Sequence, residues 1–166
     1  LIHNASDAEA DTIRIRTHTA GTGAAGSQSL RIDDNGKGMG HGKPKSPEEV
    51  ATGIHKLMQI GADERFLDSK EGQVGGYGVG AKTGMIAVAH SAVVFTIGNS
   101  VDKAGTEVRT VSVAFFSNRP FEVRNEPPIT NFVTLKADDG EPIDGVSTKE
   151  QKVTLFEQIA EVDTSL

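Results

Sequence analysis

The chain has 166 residues, a formal net charge of −6, and neither cysteine nor tryptophan. One domain is the prior at this length, and it buries roughly two thirds of the surface that the unfolded chain exposes, with a core resting on aliphatic side chains and seven phenylalanines. The acidic balance leaves no basic footprint for tight DNA binding, missing thiols exclude a disulfide scaffold or thiolate metal site, and the chain has neither a membrane-length apolar run nor a signal-peptide pattern, so an intracellular setting without a membrane partner is expected.

Leu1 to Ala8 contains no breaker and reads as a helix whose Asn4, Asp7 and Ala8 share one face at three- and four-residue spacing. Thr12 to Thr17 alternates as a strand, and Thr19 to Ser27, rich in Gly, Ala and Thr, reads as a hairpin loop leading to a second strand, Leu30 to Asp34. That strand breaks at Asp34-Asn35-Gly36-Lys37-Gly38-Met39, so Asp34 is delivered to a glycine-lined turn, although Asp-Asn-Gly is also an ordinary hairpin signal. Ser46-Pro47-Glu48-Glu49 is a capping box with proline at the first helical position, and it starts a helix toward Ile60 with Val50, Ile54, Leu57 and Met58 in one stripe. Gly61 to Gln73 carries four acids and two bases, which suits a solvated, movable lid spanning about residues 40–74.

Gly75, Gly76, Gly78 and Gly80, interleaved with Tyr77 and Val79, then lead into a helix-like stretch containing Lys82 and Thr83. Such a loop brings backbone N–H groups and a helix N-terminus to an anion. Two other phosphate motifs nearly fit. Ala81 separates Gly80 from Lys82 where a Walker A loop needs them adjacent, and the dinucleotide pattern Gly76-x-Gly78-x-x-Ala81, with Asp102 as ribose contact, lacks the apolar strand it needs, because Asp68 to Gln73 is polar. Ala81 to His90 suits a buried helix. Three strands follow, Ala92–Ile97, Glu107–Phe116 and Thr130–Lys136, with Asp102-Lys103-Ala104-Gly105 as the first turn. Asn118 to Pro128 holds three prolines and is expected to be irregular. Lys149 to Val162, with Val153, Leu155, Phe156 and Ile159, reads as a closing amphipathic helix. This order lacks strict βαβ alternation, which predicts one domain over residues 1–166, an α/β two-layer sandwich with a mixed, mostly antiparallel sheet.

The N-x-x-D-A helix, the D-N-G-x-G-M turn and the G-x-x-G-x-G loop, in that order, resemble the GHKL ATPases: gyrase B, ninety-kilodalton heat-shock chaperones, histidine kinases and MutL. Gly76-Tyr77-Gly78-Val79-Gly80-Ala81-Lys82-Thr83 and Val111-Ser112-Val113-Ala114-Phe115-Phe116-Ser117 are similar to segments of the microrchidia (MORC) ATPases, and the likeness runs to about Lys136. It implies the Bergerat fold with helices on one sheet face, and ATP and Mg²⁺ as ligands. Asp34 would accept a hydrogen bond from the adenine amine, Gly36 and Gly38 would let the backbone pass close to the base, and Met39 would lie beneath it. Ala8 shares the helix face of Asn4, whose amide oxygen would bind Mg²⁺. Asp7 would either cap local polar groups or touch the metal through water. Gly75, Gly76, Gly78 and Gly80, with Tyr77 and Val79, would surround the phosphates, and Lys82 would add a point charge. A late-strand threonine reaches adenine through water in the family; Thr130 is the nearest match, although Ile129 stands where a glycine is usual, and Gly105-Thr106 is a rival. The five histidines show no metal spacing.

In these ATPases a general-base glutamate lies four residues before the asparagine, a position that falls immediately before Leu1. The chain therefore reads as an excised domain with no catalytic residue of its own, and the parent protein as the ATPase. Two classes of function follow: an enzyme whose ATP hydrolysis drives lid closure and homodimerisation, or a non-hydrolysing interaction module for which ATP is a conformational ligand. MORC likeness implies a nuclear protein reaching DNA or chromatin through other domains. A chaperone-like or MutL-like ATPase, or a cytoplasmic setting, is the alternative.

Overall fold

The computed structural model describes residues 5–6, 8–20, 27–40, 53–58, 84–85 and 87–164. Within them β1 (Ile13–Ala20) and β2 (Ser27–Asp34) form an antiparallel two-stranded sheet, with Ile15 opposite Ile32 and Ile13 opposite Asp34. A second sheet has three strands in the order β3 (Ser91–Val101), β4 (Glu107–Ser117), β5 (Ile129–Lys136), again antiparallel. Among the described residues the longer helices are α1 (Gly53–Met58), α2 (Arg119–Arg124) and α3 (Lys149–Thr164).

Central strand β4 explains the core. Its near-continuous apolar run is what a strand buried on both faces requires, since alternate residues serve opposite faces. Val113 and Phe115 pack with Val133, Leu135 and Leu155 of α3. Ala114 and Phe116 face the other way, onto Ile54 of α1 and Met85, with Leu57, Met58, Ala92, Val94 and Phe132 around them. Each large side chain so buried contributes roughly 1.5–3 kcal/mol relative to exposure. The α/β class and the antiparallel pairing are those expected. Helices on one face hold for α1 and the Met85 turn, whereas α3 covers the opposite face, so the sheet is sandwiched between two apolar clusters.

Several boundaries differ from expectation. β1 and β2 extend to Ala20 and from Ser27, beyond the strand ends expected at Thr17 and Leu30, and the remainder of the expected loop, 21–26, lies outside the described residues. The capping box at Ser46 and Val50 also lie outside them. Gly84–Met85 and Ala87–Val88 are helical, and Ala89 N–H donates to the Met85 carbonyl at 3.0 Å, the last turn of the helix expected before His90. Asn118 to Pro128 is not irregular throughout: α2 forms because Pro120 sits in its first turn, where no intrahelical N–H is needed. Asn125, left-handed at φ 55°, ends it. On α3 the buried stripe is narrower than expected; Leu155 is fully buried and Ile159 packs beside it, but Val153 and Phe156 are 54% and 41% exposed.

Candidate functional site

The first described residues form the end of a helix, closed by two bonds: Glu9 N–H to the Ser6 carbonyl at 2.9 Å and Ala10 N–H to the Ala5 carbonyl at 3.0 Å. This is the Schellman pattern, whose C′ position must be left-handed. Glu9 occupies it at φ 60°, a conformation that costs a non-glycine residue roughly 1–2 kcal/mol. The glycine-lined turn then docks on this cap. Lys37 N–H donates to the Ala8 carbonyl at 2.9 Å, and Gly36 lies directly against Ala8. Asn35 and Thr12 exchange bonds, Thr12 N–H to Asn35 Oδ1 at 2.9 Å and Asn35 N–H to the Thr12 carbonyl at 3.3 Å. Lys37 Nζ reaches Glu9 Oε1 at 2.8 Å, and that hydrogen bond, then the ammonium charge, holds the Glu9 carboxyl below its ordinary range.

Strand alternation separates the two adjacent acids. Asp33 faces the arginines of the hairpin, with Arg31 Nε at 2.7 Å from Oδ1 and Arg16 at 3.9 Å from Oδ2. Asp34 points to the opposite face and is exposed; its Oδ1 accepts Gly36 N–H at 2.9 Å, and among the described residues Oδ2 has no partner. The turn thus presents one oriented acceptor that is not already neutralised by a cation. Gly38 follows at φ +67°, and a Cβ there would lie 1.7 Å from the Ile97 carbonyl oxygen, so only glycine permits this approach to β3. Met39 N–H donates to Thr96 Oγ1 at 2.7 Å, and the Gly40 carbonyl accepts Ile54 N–H at 3.0 Å, tying the turn to β3 and to the start of α1.

Of the residues singled out in the sequence, Ala8, Asp34, Gly36, Gly38 and Met39 are therefore brought together. Asn4, Asp7, Gly75, Gly76, Tyr77, Gly78, Val79, Gly80 and Lys82 lie outside the described residues, as does most of the lid segment. Thr130 is elsewhere. Thr96 is opposite Ser112, which is opposite Thr134 on β5, so Thr130 is displaced about 13 Å along the strand and about 10 Å across the sheet from Thr96. Thr106 closes the β3–β4 hairpin, its N–H donating to Asp102 Oδ1 at 2.8 Å, and the same carboxylate accepts Ala104 N–H at 2.9 Å. Asp102 is thus engaged by its own turn through Oδ1. The hydroxyl that does meet the turn, Thr96, was missed, although the change from Ala92 and Val94 to Thr96, Gly98 and Ser100 at alternate positions is a visible signal. Among the described residues no group of His, Cys, Asp or Glu is placed to hold a metal, and no helix is long and apolar enough to cross a membrane.

In comparison with known proteins, residues 1–140 fit the family model described as "Histidine kinase-, DNA gyrase B-, and HSP90-like ATPase". No curated protein and no solved structure matches. The matched span takes in the Ala8 cap, the Asp34 turn and the five strands of the described residues, and it ends before α3.

Proposed function

The chain belongs to the histidine kinase-, DNA gyrase B- and HSP90-like ATPase family, and from that membership, with the ATP binding it carries, we propose that it is the Mg-ATP-binding domain of a MORC-like ATPase. In this reading ATP binding and hydrolysis close a lid over about residues 40–74 and drive homodimerisation, while DNA or chromatin is reached through other domains. The observation that carries the proposal is the exposed Asp34 carboxylate, fixed through Oδ1 by Gly36 N–H at 2.9 Å and open at Oδ2 among the described residues. A fixed carboxylate accepts from the exocyclic amine of adenine and rejects the carbonyl that guanine carries at that place. Ala8, four residues beyond Asn4, touches the same turn, which supports placing the base and the metal-bound phosphates along one helix. Mg²⁺, held by the Asn4 amide and phosphate oxygens, would supply charge neutralisation to the phosphates. The MORC reading rests on the sequence resemblance of Val111 to Ser117, which lie within strand β4, and of Gly76 to Thr83.

Sedimentation of the intact protein with ADP, ATP and a non-hydrolysable ATP analogue tests this. A dimer with the analogue, a monomer with ADP and measurable phosphate release with ATP are expected. Dimerisation by the analogue without phosphate release would identify the non-hydrolysing module instead, and identical sedimentation with ADP and the analogue would overturn nucleotide-driven dimerisation.

A further inference from the structure

On β3 the alternate residues Ala92, Val94, Thr96, Gly98 and Ser100 share one face. The first two pack into the core with Ile54 and Met85, and there the apolar run stops. Thr96 is only 8% exposed, and its hydroxyl accepts Met39 N–H at 2.7 Å, a contact between residues 57 apart in sequence. Two positions on, Gly98 leaves the strand bare where a Cβ would stand 2.5 Å from the Met39 carbonyl carbon and oxygen, so the Met39 backbone rests on the strand itself. The Gly98 carbonyl is held in turn by Thr110 Oγ1 at 3.2 Å. Beneath, Ser112 and Thr134 share a buried hydroxyl bond at 2.9 Å, which keeps this polar strip satisfied across the sheet.

We propose that Thr96 is a positioning residue for adenine recognition: with bare Gly98 it forms a seat on β3 that holds Met39 and, through Gly38, the turn carrying Asp34. The proposal rests on the adenine role given to Asp34 above. Thr96 need not touch the nucleotide. Removing its oxygen leaves a partly buried N–H without an acceptor, so the binding-competent turn becomes a minor state and apparent affinity falls by the fraction lost.

The test is calorimetry on the intact wild-type protein, Thr96→Val, which keeps the shape and removes the acceptor, and Thr96→Ser, which keeps the acceptor. ATP affinity is expected to fall about tenfold in Thr96→Val and to return to within about twofold in Thr96→Ser. Inorganic tripolyphosphate should bind all three alike, which a general loss of structure would not allow. Equal ATP affinity in folded wild type and Thr96→Val, a loss that serine does not rescue, or a parallel loss of tripolyphosphate binding would overturn the inference. No ATP binding by wild type would overturn the Asp34 assignment beneath it. Should Thr96→Val fail to fold, hydrogen exchange at the Met39 amide of wild type decides: protection before nucleotide is added supports the seat, and free exchange overturns it.

Discussion

Glu9 shows how much a single residue can carry without advertising it. Its left-handed conformation is the reason Ala8 turns its carbonyl to Lys37, yet the usual signal for such a cap is glycine, and the sequence offers glutamate. Because the Glu9 carboxyl is held below its ordinary value by Lys37, the pair favours the folded state at pH above the ordinary glutamate range, and that contribution is lost as pH falls through the lower folded value. Urea midpoints of wild type and Glu9→Gln should accordingly differ slightly at neutral pH and low salt, and converge on acidification; a gap that widens toward low pH would contradict the pairing. Gly38 is the opposite case, a glycine whose necessity was visible in the motif but whose reason was not. The sequence suggested room for a base, whereas the closest atom to its missing Cβ is the Ile97 carbonyl oxygen, 1.7 Å away. Gly38→Ala should destabilise the fold by about 2 kcal/mol or more in chemical denaturation, from left-handed strain of about 1–2 kcal/mol plus the displaced turn.

At the scale of elements, period and punctuation were readable wherever local signals agreed with packing. β4 was found almost to the residue because a doubly buried strand is apolar on both faces. α2 was not, since three prolines within Asn118 to Pro128 hide that Pro120 starts a helix and only Pro127 and Pro128 follow its end. α3 was found, but not which of its apolar residues are buried, because a helix with Val153, Leu155, Phe156 and Ile159 can turn either of two flanks inward and only the sheet decides. Its start is a reciprocal capping box, Thr148 N–H to Gln151 Oε1 at 2.8 Å and Gln151 N–H to Thr148 Oγ1 at 3.2 Å. Thr148→Ala should therefore cost about 1 kcal/mol. Leu155→Ala should cost about 2–5 kcal/mol and Val153→Ala less than about 0.5 kcal/mol; comparable losses for the two in urea titrations would place α3 in the wrong rotation.

Over the whole molecule, the Asp34 turn is the point where separate parts meet: the helix cap through Ala8, the three-stranded sheet through Thr96 and Ile97, and α1 through Gly40 and Ile54. That meeting was not legible, because it joins residues far apart in sequence through backbone contacts that leave no periodic trace. The order of motifs was legible, since each needs a particular glycine or acid for its own local geometry. A nucleotide that binds only the assembled turn must stabilise the fold as a unit, by about 2.7 kcal/mol at a concentration 100 times its dissociation constant. ATP should thus raise the denaturation midpoint in proportion to the logarithm of its concentration.

The assignment of Asp34 to adenine is tested most directly by titration calorimetry of the intact protein, wild type and Asp34→Asn, with ATP and GTP. Loss of the charge-assisted acceptor should weaken ATP binding by about 10- to 150-fold, roughly 1.5–3 kcal/mol, and GTP should bind wild type poorly. Equal ATP affinity in wild type and Asp34→Asn, with both proteins folded, would contradict it.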